Sequence, residues 1–203
     1  MRSDVPVLWL LCAFGAALGL SCLVLAAAGA GVAGTRLALD MTARFSFLLF
    51  WLAYTGSAMP ALFGPVFLPL KHHARSFGLA FASAQQVHIG LVAWLCHLGA
   101  VPPLNTFIFF GIALAALYLI VFLTFSPMPQ KLHPRLRQFI FFAGLNYIAY
   151  AFAADFFVDP LQGGLKHIIF YLPFALAAVA GPGLRLAAFL LRTRRSAPLG
   201  NIA

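Results

Sequence analysis

Six long apolar runs dominate this sequence, each about as long as a bilayer's hydrocarbon core is thick. They cover roughly residues 6–33, 45–68, 77–101, 106–125, 139–157 and 168–191. A helix needs about 20 mostly apolar residues to cross the membrane. Barrel strands would be about 10 residues long and would alternate apolar with polar; these runs do not alternate. The expected fold is therefore an all-α integral membrane protein, a six-transmembrane-helix bundle in one domain over residues 1–203. Composition agrees. Of 203 residues, 63% are hydrophobic and 8% charged, and the four acids are all Asp. Soluble domains carry about 25% charged residues, so a soluble enzyme with its own nucleotide-binding domain is excluded.

The net charge of +9 is weak ground for nucleic acid, because Lys and Arg in a membrane chain mark orientation. With the N-terminus inside, the inner segments hold Arg2, Lys71, Arg75, Lys131, Arg135, Arg137, Arg192, Arg194 and Arg195. The outer loops hold only Arg36, Arg44 and Lys166, with Asp40, Asp155 and Asp159 at or near that side. Nine cations against three place both termini in the cytoplasm. Lys71-His72-His73-Ala74-Arg75 is expected to separate spans two and three, and Val101-Pro102-Pro103 spans three and four. Residues 126–131 and 159–164 supply the remaining breaks. Pro60, Pro65, Pro173 and Pro182 fall inside spans and predict kinks, which membrane helices tolerate. The first run is about twice the usual 7–15-residue core of a secretory signal and reads as an uncleaved anchor. Cys12, Cys22 and Cys96 lie within spans and read as small buried packing residues. Ala, Gly and Ser in spans one, three and six would let helices approach closely.

Polar residues at membrane depth carry the functional information, since burying one without a partner is costly. Span three is richest, with Ser83, Gln85, Gln86, His88, Cys96 and His97. His88 is near mid-span, where an imidazole can ligate haem iron or hydrogen-bond a neighbouring helix. His97 lies about 13 Å further and about 180° round the helix, so the two cannot grip one ion from one face. His167 opens span six at a depth similar to His97, and the two can pair if spans three and six are neighbours. His72, His73 and His133 read as interfacial and solvated. Tyr147 and Tyr150 share a face of span five and suit helix packing. Asp155 lies within a turn of the outer end, within reach of water. Arg185 in span six is placed to snorkel to the inner headgroups. Gly29-Ala30-Gly31-Val32-Ala33-Gly34 matches a dinucleotide-binding string, but no strand precedes it.

Arg75-Ser76-Phe77-Gly78-Leu79, followed by His88 ten residues after Gly78, resembles the start of the third span in the ferric-reductase-like transmembrane domain family. The nearest layout is that of the haem-binding membrane subunit of the bacterial methionine sulfoxide reductase system. The basic loop leading at once into span five and the Leu123-Thr124-Phe125-Ser126 exit from span four match that layout. The resemblance implies a bacterial inner-membrane protein that binds b-type haem and passes electrons across the membrane. It makes His88 an axial iron ligand and lets Arg75 pair with a haem propionate or a headgroup. A soluble flavin protein or quinol would be the donor inside, and a partner protein or ferric iron the acceptor outside. The family takes further ligands from span five, where Ile140 and Ala153 stand here, with Leu136 at the position of an expected Trp. A second ligand would then come from His97 or His167. The alternatives are a haem-free subunit of the same fold, binding a partner through its helices, and a small transporter lined by Gln85, Gln86 and Asn146.

Overall fold

The computed structural model describes residues 4–125, 132–158 and 164–196. Within them the chain forms helices α1 (Asp4–Ala28), α2 (Val32–Thr55), the short α3 (Met59–Phe63), α4 (Leu68–His97), α5 (Leu104–Phe125), α6 (Pro134–Phe156) and α7 (Leu165–Ser196). A 3₁₀ turn at Pro65–Phe67 leads into α4, and no strand occurs among the described residues. Every helix except α3 is long and apolar enough to cross a membrane. The protein is a multi-pass, all-helical membrane protein. The breaks expected at 126–131 and 159–163, with Arg2, Lys131 and Asp159, lie outside the described residues.

Three span boundaries differ from the sequence reading. Spans one and two are joined by a turn at residues 29–31, so Arg36, Asp40 and Arg44 sit inside α2 rather than in a loop. Gly29 turns the chain with φ 84°, and the Gly29 carbonyl lies where a Cβ on Gly34 would stand. Arg44 can be buried, at 7% exposure, because its charge and donors are met inside. Its Nη1 donates to the Asp40 carbonyl at 2.8 Å and its Nε to the Phe170 carbonyl of α7 at 3.2 Å. The guanidinium also lies 4.6 Å from the Tyr171 ring centroid. At the second boundary α2 stops at Thr55 and α4 begins at Leu68. Lys71, His72, His73 and Arg75 are therefore helical residues of α4, not a separating loop. Pro60 and Pro65 open α3 and the 3₁₀ turn, where the missing N–H costs nothing, and they do not kink a span. Thirdly, α6 starts at Pro134, with the His133 Nδ1 accepting the Arg135 N–H at 3.3 Å. Arg135 and Arg137 are thereby held in the helix. Pro173 and Pro182 lie inside α7 as expected.

Two groups of three long helices make the bundle. α1, α2 and α4 pack along one another, while α5 packs on α6 and α6 on α7. Small residues allow the first group to close: Ala17 of α1 is fully buried in a cluster with Ala84 and Val87 of α4. Ser83 Oγ also donates to the Leu10 carbonyl at 2.8 Å. Cys12 and Cys22 face outward from α1 instead of into the core, since the Ala face already fills the α1–α4 contact. The two groups meet through α2 and α7 and through aromatic rings. Phe50 of α2, Phe81 of α4 and Phe152 of α6 lie with centroids 5.3, 5.6 and 5.9 Å apart. By contrast α4 meets α5 only narrowly. Two chambers occupy the space between them.

Candidate functional site

The larger chamber, about 390 Å³, lies between α2, α4, α5 and α6. Its walls are mostly apolar: Phe81, Phe107, Phe110, Leu114, Leu117 and Phe152 among others. Five polar side chains join them, namely Asp40, Gln85, His88, Thr106 and Asp155. Asp155 is within electrostatic range of both Asp40 and Arg44, so the structure puts it at a shared chamber wall. The buried Gln85 Oε1 has no hydrogen-bond partner among the described residues. Gln86, one residue on, faces away and accepts a bond from Tyr118 at 2.8 Å.

His88 is held in one orientation. Thr42 Oγ1 lies 3.0 Å from its Nδ1 and 2.9 Å from the Ala38 carbonyl. Thr42 Oγ1 also lies 3.1 Å from the Leu39 carbonyl, so the hydroxyl anchors the Nδ1 edge of a ring that lines the chamber. Metal-binding histidines are oriented in this way, one nitrogen fixed by an outer partner and the other offered to the metal.

A second chamber of about 380 Å³ follows along the same helices. It is lined by Phe50, Gly78, Leu79, Val121 and Leu145 and by two cations, Arg75 and Arg137. Phe81, Leu117 and Ile148 line both chambers and form the partition between them. The two chambers together follow α5 from Thr106 to Thr124, about 27 Å at 1.5 Å per residue, nearly the depth of a bilayer's hydrocarbon.

The residues singled out from sequence are thus spread over four places. His88 lines the larger chamber and Arg75 the smaller, 13 residues and about 20 Å apart along α4. His97 is exposed and packs against Trp94 of its own helix, with centroids 5.3 Å apart. His167 stacks on Tyr171 at 4.1 Å, within electrostatic range of Asp40. Neither His97 nor His167 lines the chamber of His88. Arg185 lies 4.3 Å from the Tyr54 ring centroid rather than reaching for headgroups, and Tyr54 Oη donates to Asn146 Oδ1 at 2.6 Å. Tyr147 and Tyr150 pack on Phe109 of α5 as expected of a packing face. Thr42 and Arg137 were missed as site residues. Thr42 is 46 positions from His88, beyond any local pattern, whereas Arg137 carried a signal in its place on the first turns of a basic span.

No family model, no curated protein and no solved structure matches this chain. Fit to haem therefore rests on the donor set. One imidazole, anchored at Nδ1 and lining an apolar chamber, is the donor type of an axial iron ligand. The α6 wall offers Ile148, Ala151 and Asp155, so no second imidazole faces His88 across it. No cluster of three or more metal-ligating side chains exists among the described residues. Among the described residues the chamber offers one imidazole and no pair of histidines.

Proposed function

We propose that this protein is a membrane subunit of a ferric-reductase-like redox system, with the larger chamber as its cofactor site and His88 as the iron ligand of a b-type haem. The observation that carries this reading is the mid-span His88, anchored at Nδ1 by Thr42 and lining an apolar chamber between the two helix groups. Bound haem would supply one-electron chemistry. The chain's own residues bind and orient it: Thr42 aims the imidazole, while Phe107, Phe110 and Leu114 keep water from the site. In this reading electrons come from a donor inside, a soluble flavoprotein or quinol, and pass to an acceptor outside. The excess of Lys and Arg on one side supports N-in and C-in insertion in a bacterial inner membrane.

The test is the visible spectrum of the detergent-purified protein before and after dithionite. A Soret band lost in His88→Ala is expected. With a single imidazole ligand the reduced spectrum should be high-spin, with broad visible bands. A colourless protein from haem-replete cells overturns the proposal. The bare α6 wall favours a second reading in that event, a haem-free subunit of the same layout whose chamber takes an apolar molecule. The transporter reading has less support, because the chamber's polar groups are few among apolar walls.

A further inference from the structure

We propose that the smaller chamber seats one acyl chain of an anionic phospholipid, with the lipid phosphate held between Arg75 and Arg137. The two guanidinium groups come from α4 and α6, on opposite sides of the gap, and both line the chamber. Arg75 lies 5.8 Å from the Phe125 centroid of α5, and Arg137 lies 5.8 Å from that of Phe141 on its own helix. Of Arg75's five N–H donors, one goes to the Thr124 carbonyl at 3.3 Å. Arg137 has no side-chain hydrogen bond among the described residues. No carboxylate lines this chamber, and the sequence holds no Asp or Glu between positions 41 and 154. Two exposed cations lining one gap, with donors to spare and no carboxylate beside them, offer a site to an anion from outside the chain. At a membrane interface that anion is a lipid phosphate, and guanidinium is suited to bind it in a bidentate way.

The tail is argued from the depth. From Thr124 to Leu117 the chamber runs about 10 Å down α5, with only apolar side chains below the arginines. A free phosphate would leave that depth unfilled, whereas an acyl chain continues from the phosphate into it. The site also accounts for α4 meeting α5 only narrowly: the lipid chain is the missing packing between the two helix groups. The inference does not depend on whether His88 holds iron.

Native mass spectrometry of the detergent-purified protein with phosphatidylglycerol, phosphatidylcholine or inorganic phosphate tests the headgroup. About a ten-fold preference for phosphatidylglycerol over phosphatidylcholine is expected, because the choline cation offsets the phosphate charge beside the two guanidiniums. The exposed double variant R75Q/R137Q should abolish it. The tail is tested on the unaltered protein, with phosphatidylglycerol carrying a photoactivatable group on its acyl chain. Labelling of Leu117, Val121 or Ile148 is expected. Equal binding of the two lipids overturns the proposal, as does a preference that survives in R75Q/R137Q. Displacement of the lipid by excess phosphate assigns the site to a free anion and also overturns it. Labelling confined to outward residues such as Phe122 reduces the arginines to ordinary interfacial cations and overturns the chamber.

Discussion

Thr42 Oγ1 on α2 lies 3.0 Å from His88 Nδ1 on α4, and this contact decides which edge of the imidazole meets the larger chamber. The hydroxyl is fully buried, so water cannot take its place.

Replacing Thr42 should therefore act through His88. Thr42→Val keeps the shape and removes the hydroxyl, freeing the ring to rotate. Loss of an outer partner typically costs 10- to 100-fold in metal affinity. Haem titration followed at the Soret band should show about a ten-fold weaker affinity in Thr42→Val, and Thr42→Ser should restore it.

His97 and His167 lie outside the chamber, and substituting them separates the single-ligand arrangement from a two-histidine one. His97→Ala and His167→Ala should each leave the Soret position and intensity unchanged. A shift to a high-spin spectrum in either variant would mean that the wild-type iron has a second imidazole.

The Arg185 contact with the Tyr54 ring joins α7 to α2, and Tyr54 in turn bonds Asn146 on α6. A double-mutant cycle with Arg185→Gln and Tyr54→Leu should give a coupling of about 1 kcal/mol in detergent unfolding. Additive effects would show that the ring and the guanidinium do not interact.

Glycine substitutions in α1 and α2 should behave in opposite ways. A Cβ on Gly34 would run into the Gly29 carbonyl, which is backbone and cannot yield, while Gly15 has open space within 4 Å. Gly34→Ala should lower the melting temperature in detergent by several degrees and broaden the gel-filtration peak. Gly15→Ala should leave both unchanged.

The six spans were legible because hydropathy integrates over 20 residues and tolerates local exceptions. Their ends were not, and Arg44 shows why. A charge ends an apolar run on paper, but α2 continues through Arg44 because carbonyls and rings of α7, more than 120 positions away, receive it. Lys71 and Arg75 misled in the same way: prolines placed before them start the helix early. His88 was visible as a polar residue at mid-span. Its partner, its chamber and the chamber's separation from Arg75 all depend on which helices are neighbours. No single-chain pattern carries that information.

The partition of Phe81, Leu117 and Ile148 has a consequence for the membrane as an electrical barrier. The chambers on either side of it reach almost the full depth of the hydrocarbon. Along this line through the bundle, three apolar side chains separate a chamber that carries carboxylates from one that carries arginines. Truncating Phe81 would join the chambers into one passage, with carboxylates toward one end and arginines toward the other.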